Sequence, residues 1–219
     1  MAVTTTWTNL QTYMAAELKR SDLTTYFPNF INNAEFRISR ELKPRGFEKY
    51  ITGAMTSGNK YFQPPVRLLS LISLHILVDS AAVPTTTGTQ RLNLPRRSYS
   101  WLLDYAPSGN SSTGVPRYYS DVDGTDFIVG PSPNAAYTME MAYYEKLAPL
   151  DASNETNWLT VNAPDLLLYA ALLESAPFLR DDPRVATWQG MYDRLGASLT
   201  AQDAAFMTDA ATQRSGGYP

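Results

Sequence analysis

The sequence predicts an α+β protein in which helices from both ends of the chain form a bundle and an antiparallel β domain is inserted between them. Near both ends, apolar residues recur every three or four positions, which is the period of an amphipathic helix. Between residues 47 and 148, apolar runs are short, β-branched and aromatic residues are frequent, and clusters of Gly, Pro, Ser and Thr recur. We therefore expect a helical bundle from residues 1–46 and 149–219, and a β-rich domain over residues 47–148.

Two amphipathic helices are predicted at the start of the chain. The first follows Thr6 or Thr8, because Thr side chains accept hydrogen bonds from the free N–H groups of a helix start. The second starts near Pro28, whose fixed φ suits a first helical turn, and stops at Pro44. The apolar faces are Leu10, Tyr13, Met14 and Leu18 in the first helix and Phe27, Phe30, Ile31, Ala34, Ile38 and Leu42 in the second. The polar face of the second helix is predicted to carry Glu35, Arg37, Arg40 and Glu41.

Short strands and turns are predicted in the middle of the chain. Residues 68–78 are apolar on both alternating faces, which predicts a strand buried on both sides. The Asp123-Gly124 dipeptide between two short apolar runs predicts a tight hairpin. The predicted strands are residues 47–55, 60–63, 68–78, 90–94, 117–122, 125–129 and 137–147, with the first two paired across residues 56–59. Loop composition is found at residues 81–89 and 107–114, with a helical turn predicted over residues 97–103 between them.

Two helices are predicted at the end of the chain. One begins at Pro164 and is apolar nearly all round, which is typical of a helix at the centre of a bundle or against a neighbouring subunit. The other begins after Asp181-Asp182-Pro183, where carboxylates favour the positive end of the helix dipole. Residues 212–219 have no apolar period and predict a tail that is free unless a partner orders it. The last helix repeats apolar or long side chains at alternating spacings of three and four, which predicts one packing seam along it through Val185, Trp188, Tyr192, Leu195, Leu199, Gln202 and Phe206.

The residue types available argue against most catalytic classes. The chain has no Cys and one His, so disulfides, thiolate metal sites and multi-histidine metal sites are excluded. That residue, His75, lies in an apolar run and is interpreted as a structural side chain. No Gly-rich phosphate loop and no G-x-S-x-G nucleophile elbow is found. We expect a protein that is not an enzyme and holds no metal or other cofactor.

Clustered carboxylates have structural interpretations. Asp121, Asp123 and Asp126 surround a glycine but lack the terminal Glu of a calcium-binding loop, so a hairpin turn is favoured. Glu140 and Glu145 lie five positions apart, and residues of different parity on a strand point to opposite faces. They are therefore unsuited to act as the facing carboxylate pair of a glycosidase.

Charge and hydropathy exclude two further classes of partner. The net charge is −3 and no basic stripe is found, so sequence-specific binding to nucleic acid is not expected. The first nine residues lack the basic and apolar regions of a signal peptide. The most apolar stretch, residues 66–78, contains Arg67 and His75 and is too short to cross a bilayer, so no membrane role is expected. The 14 Tyr residues fit either half-buried interfaces or an aromatic β core.

A series of short motifs runs through the chain in a fixed order. They are RSDL at 20–23, PNFINNAE at 28–35, RISREL at 37–42, GPSP at 130–133, MAYY at 141–144, NWL at 157–159, APDLLLY at 163–169 and APFLRDD at 176–182. In this order they resemble the tail tubular protein A-like family of head-to-tail adaptor proteins of short-tailed phages. The resemblance covers nearly the whole chain and is weakest over residues 81–110.

The resemblance implies a structural virion protein at the head-tail junction, assembled in the host cytoplasm. It implies a dodecameric ring between the portal protein and the tail nozzle, with a central channel through which double-stranded DNA passes without sequence-specific binding. Two alternatives stay open: a glycan-active tail enzyme, supported by the aromatic-rich middle of the chain, and another neck or tail-completion protein built on a similar bundle.

The resemblance also implies two contact sites. By analogy with the family, the end of the last helix and the tail dock on the portal, and the candidate contacts are Phe206, Gln213, Arg214 and Tyr218. A loop of the β domain is the candidate contact with the tail nozzle, through Ser108, Gly109, Asn110 and Ser111. The polar, glycine-containing segment after a long helix fits the first site, because such a segment gains order only on a partner.

Overall fold

The computed structural model describes residues 5–20, 22–78, 89–107, 113–124, 126–179 and 182–215, with residues 207–215 described as helical backbone. The chain divides into two compact units. The helical unit consists of Met1–Phe47 and Lys146–Pro219, and the β unit of Glu48–Glu145. Helices near both termini flank the region of sheets, so the predicted α+β class is confirmed.

Capping and proline chemistry fix where the N-terminal helices begin. Thr6 caps α1, because its hydroxyl accepts a hydrogen bond from the Asn9 N–H at 3.2 Å. Pro28 lies in the first turn of the second helix, as predicted. In the described ranges the helices are α1 (Trp7–Leu18), α2 (Phe27–Glu41), α3 (Tyr99–Tyr105), α4 (Trp158–Asn162), α5 (Pro164–Ser175) and α6 (Arg184–Ser215), of which α3 belongs to the β unit.

Helix α5 is the centre of the helical unit. It packs against α1, α2, α4 and α6. A helix that is apolar on all sides is stable in water only when other helices cover it, and each leucine buried in this way contributes roughly 1.5–3 kcal/mol. The predicted central position of this helix is therefore confirmed. Its buried residues are Leu166, Leu167, Ala170, Ala171, Leu172, Leu173 and Ser175.

The apolar seam of α6 is buried only in the first half of the helix. Trp188 and Tyr192 are buried and Leu195 and Leu199 partly buried, whereas Gln202 and Phe206 are exposed. The prediction of one continuous packing seam as far as Phe206 is therefore wrong for the last turns. The spacing of the side chains continues there, but the side chains remain in contact with solvent.

Two side chains of α1 and α2 lie where their periodicity did not place them. Tyr13 is 47% exposed, because it lies at the edge of the apolar stripe of α1. Glu35, predicted on the polar face of α2, is 5% exposed. One turn separates Glu35 from the buried Ile31, so the helix itself directs this carboxyl group into the core. Its polarity alone had suggested the opposite face.

The β unit contains two antiparallel sheets and one short parallel pair. The first sheet has the order β1-β9-β3-β4 and the second the order β2-β7-β6, and β5 pairs with β8 in parallel. In the described ranges the strands are β1 (Glu48–Met55), β2 (Tyr61–Phe62), β3 (Leu68–Val78), β4 (Gln90–Asn93), β5 (Thr113–Gly114), β6 (Tyr118–Asp121), β7 (Phe127–Gly130), β8 (Ser132–Pro133) and β9 (Tyr137–Glu145).

The predicted hairpin between the first two strands is wrong. β1 pairs along its whole length with β9, from Glu48 opposite Tyr144 to Met55 opposite Tyr137, and β2 pairs with β7. A turn does form at residues 56–59, where the Asn59 N–H donates to the Thr56 carbonyl at 3.1 Å. That turn carries the chain into the second sheet, so a correct local signal led to an incorrect pairing.

Strand β3 has the predicted bounds but is not buried on both faces. Leu74, Ile76 and Val78 face the core, whereas Ile72 is 45% exposed. A shift in the pairing register at this point turns Ile72 outward. The core of the β unit consists of Met55, Phe62, Leu74, Ile76, Val78, Leu94, Tyr119, Phe127, Val129, Tyr137, Met139, Met141 and Tyr143.

The hairpin of β6 and β7 forms at Asp123-Gly124, as predicted. Asp121 Oδ1 accepts from the Gly124 N–H at 2.7 Å, and Asp123 Oδ1 accepts from the Asp126 N–H at 2.9 Å. Gly124 has a φ of 82°, a backbone conformation that favours glycine. The carboxylates of Asp121 and Asp123 therefore stabilise the turn. The predicted helical turn at residues 97–103 corresponds to α3, capped by Ser98, and the predicted loop residues 81–88 lie outside the described residues.

Candidate functional site

The C-terminal half of α6 is a solvent-exposed helix. Between residues 200 and 206 every side chain is exposed except that of Asp203, which is partly buried. The helix continues to Ser215, so the predicted free tail is wrong for residues 212–215. Residues 204–215 include four Ala together with Met207, Gln213 and Arg214, all strong helix formers, so the helix continues without an apolar period. Its 32 residues give a length of about 48 Å.

Three of the four predicted portal contacts lie on this helix. The Phe206 side chain is 53% exposed. Gln213 and Arg214 belong to the same helix, and Tyr218 lies outside the described residues. Seven residues make about two helical turns, so positions 206 and 213 fall on the same side of α6. The structure thus brings these predicted positions together on one helix.

A groove beside Phe206 adds residues that the sequence had not indicated. Its cavity has a volume of about 350 Å³. The guanidinium carbon of Arg45 lies 5.8 Å from the centroid of the Phe206 ring, and the backbone N–H of Arg45 donates to Asp203 Oδ2 at 2.9 Å. These contacts join α6 to the segment after α2. We call this site the Phe206 groove, lined by Arg45, Gly46, Trp158, Asn162, Leu199, Gln202, Asp203 and Phe206.

Gly46 is required for the shape of this groove. A Cβ atom at this position would lie 2.0 Å from Cε2 of Trp158, far inside van der Waals contact. The Trp158 ring packs in turn edge to face with the ring of Phe47, at a centroid distance of 5.5 Å and an interplanar angle of 88°. Glycine therefore lets the backbone pass directly against the indole ring.

A second groove runs along another part of α6. Its volume is about 530 Å³, and small side chains of α6 form much of its wall. Glu41 and Asp193 contribute its acidic residues, and Glu41 Oε2 accepts a hydrogen bond from the Tyr192 hydroxyl at 2.5 Å. The groove is lined by Glu41, Leu42, Tyr192, Asp193, Gly196, Ala197, Thr200, Ala201 and Ala204.

The predicted nozzle contacts Ser108, Gly109, Asn110 and Ser111 lie outside the described residues. The helix that precedes them, α3, carries a cluster of aromatic side chains. Trp101 and Tyr105 stack at a centroid distance of 5.0 Å, and both contact Tyr118 edge to face. The guanidinium carbon of Arg97 lies 5.4 Å from the ring centroids of Trp101 and Tyr118. We call Arg97, Trp101, Tyr105 and Tyr118 the Arg97 cluster.

The Arg97 cluster was not predicted from the sequence, although the spacing of its residues indicates it. Arg97, Trp101 and Tyr105 are four residues apart, the spacing that places side chains on one side of a helix. The cluster borders an open cleft of about 850 Å³. Arg96, also in this cleft, forms an ion pair with Asp121 at 3.6 Å.

The carboxylates of the β sheet are paired with arginines. Glu140 accepts from Arg91 at 2.5 and 3.0 Å, and this bonding holds the pKa of Glu140 below its usual range. Glu145 forms a separate ion pair with Arg67 at 3.4 Å. Each carboxylate thus has its own structural partner.

Within the described ranges, no group of three or more His, Cys, Asp or Glu side chains is placed to hold a metal ion. None of the helices in the described part of the chain combines the length and hydropathy that a membrane span requires.

Comparison with models of protein families gives a match that covers nearly the whole chain. The family model described as SU10 adaptor protein matches residues 5–215. That range includes residues of both units and ends at the last residue of α6. No curated protein matches the chain. The family match confirms the resemblance drawn from the ordered motifs.

Proposed function

Since the chain belongs to the SU10 adaptor protein family, and is thus a structural adaptor of a phage particle, we propose that twelve copies form a ring between the portal and the tail nozzle. Double-stranded DNA passes through the channel of this ring. The observation that best supports an assembling subunit is the exposed end of α6, which carries Phe206. An isolated helical segment is only marginally stable in water, so a partner protein that covers this end of α6 would stabilise the helix.

The portal is the partner that we propose for this end of α6. Phe206 supplies an exposed aromatic ring, and Arg45 lies beside it as a cation that a partner carboxylate can approach. Aromatic and arginine side chains contribute most of the binding energy at protein interfaces. Gln213, Arg214 and Tyr218 extend the proposed contact along the chain.

The charge of the subunit suits a channel that DNA slides through. With 18 Lys and Arg against 21 Asp and Glu, the subunit has no excess of cations to hold phosphates. Each phosphate contact would add affinity and slow the passage of DNA. Weak, non-specific contact is therefore the proposed mode of interaction with DNA.

The tail nozzle is the proposed partner of the loop Ser108, Gly109, Asn110 and Ser111 in the β unit. The two partners would thus bind different units of the subunit. A head-to-tail ring also needs two complementary faces on each subunit. The second groove of α6, which contains Glu41 and Asp193, is a candidate for one of these faces, because its small side chains let a neighbouring helix approach closely.

Electron microscopy of the purified chain, with and without the portal protein, tests this function. We expect rings that attach to the portal. Deletion of residues 213–219 should weaken capture by the portal in a pull-down and leave the far-ultraviolet circular dichroism nearly unchanged. Replacement of residues 108–111 by a short turn should leave portal capture intact and reduce nozzle capture. A chain that stays monomeric beside portal rings, or that cleaves host surface glycans, would contradict the proposal.

A further inference from the structure

The Arg97 cluster exposes an unusual amount of aromatic surface for so short a segment. Trp101 is 39% exposed and Tyr105 44% exposed, although both rings contact Tyr118. The neighbouring Tyr99 and Leu103 are also exposed, at 42% and 41%. Trp, Tyr and Arg are the side chains most enriched among residues that dominate binding at interfaces. The composition of this surface is therefore that of a binding site rather than of ordinary solvent-facing helix.

Arg97 is the cation at the centre of this surface. Arg96 is paired with Asp121, but the Arg97 guanidinium has no ion pair or hydrogen bond to an acceptor in the part of the chain that the structure describes. Its contacts are with the rings of Trp101 and Tyr118. A guanidinium stacked on aromatic rings keeps its N–H donors at its edge, where they are available to a carboxylate.

We propose that the Arg97 cluster is a docking site for a surface of the tail nozzle that presents one carboxylate beside an apolar side chain. The carboxylate accepts hydrogen bonds from the edge of Arg97, and the apolar side chain packs against the exposed parts of Trp101 and Tyr105. This inference rests on the proposed function. In the sequence, Tyr105 precedes the first residue of the proposed nozzle loop, Ser108, by three positions, and the nozzle is therefore the partner that we assign to the cluster.

The charges around the cluster favour a single carboxylate over a nucleic acid. Asp121 neutralises Arg96, and Asp104 lies exposed on α3 itself. One unpaired cation among carboxylates does not suit a polyanion, whose binding grows with the number of phosphates neutralised. A sugar ring is also disfavoured, because sugars stack on an open aromatic face, and both Arg97 and Tyr105 already pack on the ring of Trp101.

Binding of the purified tail nozzle protein of the same phage to assembled adaptor rings tests the proposal. Arg97→Ala removes the cation, and the expected result is nozzle binding weaker by about tenfold or more, as for the loss of one partner of a hydrogen-bonded charge pair. Arg97→Lys keeps the charge without the planar stacking and should give an intermediate loss. The matched control is Arg117→Ala, because Arg117 is an exposed arginine of the same unit that lies over no aromatic ring among the residues that the structure describes. We expect its effect to stay below about twofold.

Portal capture, ring formation and the melting temperature are measured on the same variants and should not change. Equal nozzle affinity of Arg97→Ala and the unaltered chain would overturn the inference. A loss of ring formation in Arg97→Ala would also overturn the inference, because the partner of Arg97 would then be a second copy of this chain. Weaker retention of DNA by Arg97→Ala would overturn it as well, because the partner would then be a nucleic acid. Failure of the unaltered chain to bind either portal or nozzle would refute the proposed function itself.

Discussion

Glu35 joins α2 to two other parts of the helical unit through one buried carboxyl group. Its oxygens accept hydrogen bonds from the Leu150 N–H at 3.4 Å and from the side-chain amide of Asn157. Asn157 also caps α4, accepting from the N–H groups of Leu159 and Thr160. Burial raises the pKa of Glu35 to about 7, although the two hydrogen bonds act in the opposite direction.

Stability should therefore fall as the pH rises through neutrality. Because the folded pKa of Glu35 lies above its usual value of 4.5, the folded chain binds the proton more tightly than the unfolded chain. This contribution is complete below about pH 4.5 and is lost as the pH passes through about 7. We expect urea denaturation to give an unfolding free energy roughly 1–3 kcal/mol lower at pH 8 than at pH 5.

Glu35→Gln should remove most of this slope, because the amide does not titrate. The same change at Glu17, an exposed residue of α1, serves as the control and should leave the slope in place. A slope that persists unchanged in Glu35→Gln would show that another group causes it.

Two glycines of the helical unit should respond in opposite directions to the same substitution. Gly46→Ala forces a methyl group into the Trp158 ring, so we expect a loss of about 2–3 kcal/mol and altered tryptophan fluorescence. Gly190→Ala, within α6, places its methyl group where no atom lies within 4 Å. Alanine is the better helix former, so this variant should gain about 0.5–1 kcal/mol. Thermal unfolding of both variants checks the pair, and a stable Gly46→Ala would show that the indole ring moves freely.

Single residues were predictable where their partners are close in sequence. Thr6 as a cap and Asp123-Gly124 as a turn depend on groups within a few residues, and both predictions are confirmed. The buried position of Glu35 depends on its hydrogen bond with Asn157, which is 122 positions away, and no local sequence pattern reveals that contact. The groove beside Phe206 escaped prediction for the same reason, since Arg45 and Asp203 are 158 positions apart.

Helices and strands were predictable in kind because each has its own period, but the pairing of strands distant in sequence was not. β3 has the bounds that its apolar run predicts. The side chains of β1 are mostly exposed, so its sequence contains little information about which strand it pairs with. The same sequence is compatible with pairing to the next strand or to the distant β9. The C-terminal limit of α6 was missed because helix propensity alone maintains its last turns, without the apolar spacing that marks packed helices.

The exposed end of α6 should be separable from the stability of the bundle. Ala205→Pro removes an N–H and clashes with the preceding turn, which costs about 3 kcal/mol in a helix interior. Residue 205 is exposed, so this cost should unwind the helix end and spare the core. We expect lower ellipticity at 222 nm, an unchanged melting temperature and weaker portal capture. Ala205→Ser, which keeps the N–H, is the control, and a large fall in melting temperature for Ala205→Pro would contradict this view of α6.

At the scale of the whole molecule, each unit has its own apolar core. The core of the β unit is formed by residues between Met55 and Tyr143, and that of the helical unit centres on α5. The chain leaves the helical unit after Phe47 and returns at Lys146. These two crossings are close together, because Glu48 at the start of β1 lies opposite Tyr144 near the end of β9. Cα atoms paired in this way are about 4.5–5.5 Å apart.

The helical unit should therefore fold when residues 48–145 are replaced by a short Gly-Ser linker. Such a linker spans the gap without strain, and the core around α5 loses none of its own residues. We expect a helical circular dichroism spectrum, one cooperative thermal transition and portal capture close to that of the whole chain. Nozzle capture should be lost, because the proposed nozzle contacts lie in the removed unit. A shortened chain that is unfolded at every temperature would show that the helical unit depends on the β unit for its stability. A folded shortened chain that still captures the nozzle would show that the nozzle contacts lie outside residues 48–145.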